Sequence, residues 1–576
     1  MAATGDARPS KPARATTTAL AKFSRWRARR RSSPLWTVAV GMVVLIVLAP
    51  VASIVVLALT SNSSALPHLM RTVLPAVTAN TLLLAATTGL ATLLIGTATA
   101  WLVTMYRFPG RAVIDRLLVL PLAVPAYIVA YCYADLFDYA GPVQSALRAT
   151  FGWKSAADYS FPEIRSIGGA AFVIASVLYP YVYLAARASF VQQSVCALEV
   201  ARTLGRTPLG TFWAVALPLA RPALAAGVAL VLMEVLNEFG AVRHLGVLTL
   251  STSIYDTWLQ RSDLGGATQL AIIVLIFVVM ILAGERYLRG GALSHHTTGR
   301  YRSIPFQDIE GWKGWAAAGL CLVPVLLGFA LPILILVSQA LHKGFGGTAS
   351  GFLQAAFNSA TLAGLAAAVT VLLALLLTYS RRVAANGLTR FAVRLAGFGY
   401  AIPGTVLAIG LLIPLAALDN RVDGLFRSVF GVSTGLILSG TIFALTLAYV
   451  VRFLAVALGG VEAGLERISP NLDAAARALG ETAFSALRRV HLPMLLPTLG
   501  AAGLLVFVDT MKELPATLLL RPFDFETLAT HVYGYASLEQ VEMGAAGALA
   551  IVATGLIPVL FLHNAVAGGR AGGRDA

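Results

Sequence analysis

A chain of 576 residues that is 58% hydrophobic and only 12% charged has too little polar surface for an ordinary soluble protein. Its net charge of +16 invites a nucleic-acid reading, but most of the Lys and Arg fall in the N-terminal tail and in alternate loops between apolar runs. That distribution is the bias that orients membrane proteins with basic loops in the cytoplasm. It argues against a nucleic-acid partner and predicts that both termini are cytoplasmic.

In chain order, residues 1–34 form a basic tail (Lys22, Arg25, Arg27, Arg29, Arg30, Arg31) suited to anionic lipid or to fixing orientation. The apolar run that follows, 35–59, is too long for a signal-peptide core of about 7–15 residues, so it reads as a first span. Eleven further runs, 76–104, 117–138, 169–190, 222–243, 267–285, 314–337, 356–379, 395–417, 434–456, 496–516 and 543–563, are long enough to cross about 30 Å of hydrocarbon as helix. They are continuous rather than alternating, which excludes a β-barrel. A polar linker at 286–313 separates a first half, 35–285, from a second, 314–565, and residues 566–576 form a short tail. His295 and His296 in the linker have no carboxylate or thiol close by and read as solvated. Cys132, Cys196 and Cys321 are too scattered for a disulfide framework or a metal cluster.

Six spans on each side of the linker make both halves enter the membrane from the same side. The repeats are therefore parallel, related by an axis along the membrane normal. The fold class expected is all-α: about twelve transmembrane helices in two parallel pseudo-twofold six-helix repeats.

A polar segment occurs once in each half, 275 positions apart: Leu198-Glu-Val-Ala-Arg-Thr-Leu-Gly205 and Asp473-Ala-Ala-Ala-Arg-Ala-Leu-Gly480. At this offset Ala201/Ala476, Arg202/Arg477, Gly205/Gly480, Thr207/Thr482, Leu217/Leu492 and Pro218/Pro493 are identical. Each copy predicts two short helices. Gly205 or Gly480 ends the first in the left-handed conformation, Thr207 or Thr482 caps the second, and Pro218 or Pro493 marks re-entry into the bilayer. Two such loops on one face suggest docking onto a twofold-symmetric partner.

These segments resemble the EAA loop of ABC-importer permeases: E-A-A, three residues, Gly, nine residues, I-x-L-P. Copy one matches as Glu199-Val200-Ala201, Gly205 and Val215-Ala216-Leu217-Pro218; copy two has Ala474 at the acidic position, with Asp473 just before it. The stretches Leu120–Tyr127, Asp138–Gln144, Leu236–Gly240, Arg452–Gly460 and Met511–Phe523 resemble the fused, two-half iron(III) permeases across nearly all of 35–565. The resemblance implies the type I importer permease fold in a bacterial inner membrane. It also implies two copies of an ABC ATPase subunit, docked through Glu199, Ala201, Arg202, Gly205, Asp473, Ala476, Arg477 and Gly480, and a periplasmic iron(III)-binding protein. No G-x-x-x-x-G-K-[ST] phosphate cradle is present, so ATP and Mg are expected on the partner subunits, with no cofactor bound by this chain and no covalent chemistry. Thiamine, phosphonate and polyamine permeases share the scaffold and remain alternatives. An ion-gradient-driven transporter would explain the spans but not the docking loops.

Ionisable residues inside spans are costly unless they are paired or line a cavity. Glu234 and Glu238 lie one helical turn apart, and at the 275-residue offset Asn237-Glu238 corresponds to Lys512-Glu513. With Gly240 and Pro515 closing the two segments, Glu234, Asn237, Glu238, Lys512, Glu513 and Pro515 are the candidates for the gate and translocation path. The competing expectation is structural pairing of Glu238 with Arg243, and of Glu513 with Lys512 or Arg521. Asp135 and Asp138, among the tyrosines at the external end of the third span, are weaker candidates for oxygen ligands to a hard cation.

Overall fold

The computed structural model describes residues 34–61, 67, 71–192, 201, 203–289, 307–344, 348–383 and 387–567. The first half contains α1 (Pro34–Thr60), α2 (Leu74–Met105), α3 (Arg111–Leu117), α4 (Ala126–Phe137), α5 (Pro142–Phe151) and α6 (Ile167–Gln192). It continues with α7 (Pro208–Asn237), then α8 (Gly240–His244), α9 (Leu250–Tyr255) and α10 (Leu264–Arg289). The second half contains α11 (Trp312–Lys343), α12 (Ala349–Val383), α13 (Gly387–Ala396), α14 (Gly404–Phe430), α15 (Ile442–Glu466) and α16 (Pro470–Ala478). It closes with α17 (Ala483–Met511), α18 (Pro515–Leu520), α19 (Leu528–Ser537) and α20 (Val541–Ala567). A two-residue parallel bridge pairs β1 (Tyr106–Arg107) with β2 (Gln307–Asp308), fastening the end of the linker to the end of α2.

Among the described residues eleven helices are long and apolar enough to cross a membrane, and a pair of helices bent by 91° makes a twelfth when taken as one span. The bent crossing is the expected third span, 117–138, which is not one rod. A tight turn at Leu120–Ala123 and extended backbone at Val124 and Pro125 break it, because a residue before proline is pushed out of the helical region. The expected tenth span, 434–456, is displaced to Ile442–Glu466. Its first apolar residues fold into a hairpin ahead of it: the buried Asp419 carboxylate accepts from the backbone N–H of Ile437 (3.2 Å), Leu438 (2.8 Å) and Ser439 (2.7 Å).

Each half is built on its second, fourth and fifth crossings: α2 packs on α6 and α7, and α12 packs on α15 and α17. The first crossings are exchanged. α1 lies against α14, α13 and α10, whereas α11 lies against α20, α4 and α3. Gly328 on α11 meets the Ser176 backbone of α6, and Tyr133 on α4 donates to the Leu327 carbonyl at 2.6 Å. The two bundles are thereby strapped together by helices that belong in sequence to one and in packing to the other.

The tightest crossing in the first half needs glycine. A Cβ on Gly96 of α2 would sit 2.8 Å from the Tyr183 backbone nitrogen and 2.9 Å from the Tyr179 carbonyl oxygen of α6, whereas Gly319 on α11 has nothing within 4 Å. Overpacked cores lose about 1–3 kcal/mol. We expect Gly96→Val to lower the thermal unfolding midpoint of the detergent-solubilised protein, with Gly319→Ala at or above wild type; equal midpoints would refute this packing.

Candidate functional site between the two halves

Both repeated segments end as expected. Gly205 (φ 80°) and Gly480 (φ 83°) are left-handed, and the same closing bond follows each, Arg206 N–H to Ala201 O at 3.1 Å and Glu481 N–H to Ala476 O at 3.0 Å. Thr207 caps Gly210 N–H at 3.1 Å, and Thr482 caps Ser485 N–H at 3.2 Å. Ala201 and Ala476 are buried, and Arg477 turns back to donate to the Asp473 carbonyl at 3.0 Å. Glu199 and Arg202 lie outside the described residues.

One expectation is corrected here. The second helix of each copy is not short, because α7 and α17 run unbroken from Pro208 and Ala483 through Pro218 and Pro493. Just before each proline the helix widens into a π-turn, at Phe212–Ala216 and Leu487–His491. A proline lacks the N–H and crowds the preceding turn, and a wider turn there relieves both. The helix that follows each left-handed glycine is thus continuous with the one that leads to the centre of the molecule.

At the far ends of α7 and α17 the helices break in the same way. Glu238 leaves α7 and accepts from Ala241 N–H at the start of α8, at 2.9 Å. Glu513 leaves α17 and accepts from Ala516 N–H (3.0 Å) and Thr517 N–H (3.1 Å) at the start of α18, where Pro515 occupies a first-turn position. Each carboxylate therefore satisfies backbone donors that a helix start leaves unpaired. Gly240 is obligatory, since a Cβ would lie 2.6 Å from Tyr127 Cβ and 2.9 Å from Leu514 Cδ2 of the other half.

Glu234, Asn237, Glu238, Lys512, Glu513 and Pro515 are brought together around a cavity of about 100 Å³, joined there by Tyr127, Tyr181, Tyr400, Arg452 and Asp509. The halves are stitched across it: Tyr400 donates to Glu234 Oε1 at 2.6 Å, and Gly404 N–H donates to Asn237 Oδ1 at 2.8 Å. Lys512 pairs with Asp509 at 2.9 Å, and Arg452 with Glu513 at 3.2 Å. The expected alternatives are not formed, because Arg243 pairs with Asp256 and Arg521 with Glu526. Asp509 and Arg452 were missed in the sequence. The 275-residue offset puts Asp509 opposite Glu234, which was a usable signal. It puts Arg452 opposite Val177, so Glu238 has no guanidinium partner equivalent to that of Glu513, and symmetry gave no sign of one.

A second cavity, of about 530 Å³, adjoins the first on the side of the repeated loops, with Met233, Arg286, Phe398, Tyr400, Asp509 and Lys512 in its wall. On the opposite face Asp135 and Asp138 do not converge. Asp135 accepts from Gln339 at 2.9 Å, and Asp138 is forked by Arg165 at 2.8 Å. That carboxylate, by hydrogen bond and charge, holds the Arg165 guanidinium above its ordinary pKa. Among the described residues no group of three or more His, Cys, Asp or Glu is placed to hold a metal ion.

Comparison with known proteins agrees with this geometry. Residues 92–289 match the family of binding-protein-dependent transport system inner membrane components. The Fe(3+)-transport system permease protein FbpB 2 of Haemophilus influenzae is 28% identical over 491 residues, 84% of this chain and 89% of that protein. The sulfate transport system permease protein CysT of Salmonella typhimurium is 32% identical over 197 residues, 32% of this chain and 66% of that protein. A putative 2-aminoethylphosphonate transport system permease protein, PhnU of Salmonella choleraesuis, is 29% identical over 201 residues, 34% of this chain and 69% of that protein.

The Arg452–Glu513 pair is sealed, with side chains 7% and 2% exposed. Removing one partner of such a pair costs about 3–5 kcal/mol, because the other charge is left buried alone. We expect Arg452→Met to lower unfolding stability by that order, and Arg452→Met with Glu513→Gln to lower it much less. A double-mutant cycle in detergent checks this; additive losses would refute the pair.

Proposed function

The chain is the inner-membrane permease of a binding-protein-dependent ABC importer, and on that premise we propose that its cargo is ferric iron. The observation that supports this cargo most is the relationship to an Fe(3+)-transport permease along 84% of the chain, taking in both halves. The sulfate and phosphonate permeases are related over only about a third of it. Charge favours the same reading. The central cavity sets four carboxylates, Glu234, Glu238, Asp509 and Glu513, against two cations, Arg452 and Lys512, a balance that repels an oxyanion and attracts a cation.

In this proposal both termini and the repeated loops are cytoplasmic, and a periplasmic iron(III)-binding protein delivers cargo to the opposite face. Two copies of the ATPase subunit, which carry ATP and Mg, dock on the loops around Gly205 and Gly480. The chain itself binds no cofactor and catalyses no covalent step. The 530 Å³ cavity then opens toward the cytoplasm, while the Gly240–Leu514 contact closes the periplasmic side. This corresponds to the inward-facing state of an alternating-access cycle. ATP-driven closure of the ATPases pulls on the loops, α7 and α17 carry the motion inward, and the bonds between Glu234, Asn237, Tyr400 and Gly404 exchange partners as the gate opens outward.

The test is reconstitution in proteoliposomes with the ATPase and binding protein and no ion gradient. The expected outcome is ATP-dependent uptake of ferric iron, with sulfate and aminoethylphosphonate at background. Uptake of an oxyanion instead would overturn the cargo, and uptake driven by an ion gradient without ATP would overturn the mechanism. Because a side chain at a left-handed glycine is strained by about 1 kcal/mol, Gly205→Val with Gly480→Val should insert normally yet lose ATPase binding and uptake. Wild-type values for both would show that the loops do not dock.

A further inference from the structure

The acidic residue of the second repeated segment does not face outward. Asp473, in the first turn of α16, has a side chain 21% exposed, and its carboxylate is held between two helices outside the segment. Arg382, at the end of α12, donates to Asp473 Oδ2 from Nε at 2.8 Å. The same guanidinium donates to the backbone carbonyls of Leu465 (2.7 Å) and Ile468 (2.9 Å), where α15 ends. On the other side of the carboxylate, His491 Nε2 lies 2.9 Å from Asp473 Oδ1, a close contact without hydrogen-bond alignment. His491 is fully buried in the π-turn of α17, and Tyr379 of α12 packs edge-on against its ring at 5.4 Å.

At the 275-residue offset Arg382 has a counterpart in Arg107, but the acid and ring positions around it differ. Leu198 stands for Asp473, Ala216 for His491 and Thr104 for Tyr379. There the junction is filled by aromatic packing of Trp101, Phe190 and Phe212, with ring centroids 4.9–6.5 Å apart. Apolar side chains that merely pack permit small sliding between helices. A planar guanidinium that donates at once to a carboxylate and to two backbone carbonyls fixes angle as well as distance.

We propose that Asp473, Arg382 and His491 form a rigid joint that makes α12, α16 and α17 turn as one body, so that the second docking segment drives the acidic gate directly. Asp473 is thus a positioning residue and not a contact for the ATPase. The inference rests on the reading that this segment docks an ATPase. From His491 to Met511 the helix rises about 1.5 Å per residue, so a tilt imposed at the joint reaches Lys512 and Glu513 roughly 30 Å away. A loose joint would absorb it, and ATP would be hydrolysed without moving cargo.

The experiment uses the full chain reconstituted with the ATPase and binding protein, and reads ATPase affinity, ATP hydrolysis and iron transported per ATP. Asp473→Asn and Arg382→Gln should each lower iron per ATP by at least about fivefold, the low end of ordinary coupling, with ATPase affinity unchanged. The double variant should be no worse than either single one, and Asp473→Glu should keep most of the ratio. Weakened ATPase affinity at a normal ratio in Asp473→Asn would make Asp473 a partner contact and overturn the joint; so would additive losses, or wild-type behaviour in both single variants. If Asp473→Asn fails to accumulate, Arg382→Lys, which keeps the charge but not the three planar bonds, reads the same ratio, and a wild-type value there overturns the joint. Failure of the wild-type chain to bind the ATPase at all would instead remove the docking reading beneath it.

Discussion

Carboxylates held between two apolar helix bundles are the constraint to which the rest of this structure answers. An ionised group in such surroundings is strongly disfavoured unless charge and hydrogen bonds replace the water it gives up. The chain meets this differently at each acid. Glu234 accepts from a tyrosine of the other half, Asp509 pairs with Lys512 one turn along its own helix, and Glu238 and Glu513 accept backbone N–H groups at helix starts. The breaks after α7 and α17 follow from this. Only a newly started helix presents unpaired N–H groups at that depth, and irregular backbone is tolerated there because it faces protein and a cavity.

The duplication supplied two such breaks, and the halves have since been given different tasks. The second buries its acid against Arg452, where the first has Val177 and a half-buried Glu238 at the cavity. The second holds Asp473 of its loop against Arg382 of α12. Exchanged first crossings hold the halves together at the periphery, so the centre is free to carry few and specific polar bonds. The pseudo-twofold scaffold is symmetric in backbone and asymmetric in charge.

What the sequence disclosed follows the same physical divide. The repeats, their capping threonines and their left-handed glycines were legible because each is a local requirement stated by a few adjacent residues. Glu234, Glu238, Glu513 and Lys512 at the centre were legible because a charge in an apolar run stands out. Helix ends were not: α12 runs on through Arg381 and Arg382, beyond the apolar stretch that signalled it, because protein and not lipid covers its end. The break at Pro125 was hidden inside a run whose hydropathy never falls. The partner of Glu513 lies in a different helix, with no periodic relation to it. The exchange of α1 and α11 was invisible, since a face packed on protein and a face packed on lipid use the same residues.

For a permease carrying a highly charged cation, the difficulty is release as much as binding. Passage requires a site attractive enough to admit the ion and weak enough to let it go. Four unengaged carboxylates would hold a trivalent ion tightly, since Coulomb attraction at short range in a medium of low polarity is large. Here every one of the four is already engaged by a hydroxyl, an ammonium, a guanidinium or a helix N–H. A passing cation must displace those partners, and each displaced partner competes to return. Under the ferric reading, the internal bonds that make the acids tolerable in the membrane are therefore also what keeps their hold on the cargo transient. Stability of the empty gate and turnover of the loaded one then rest on the same few contacts.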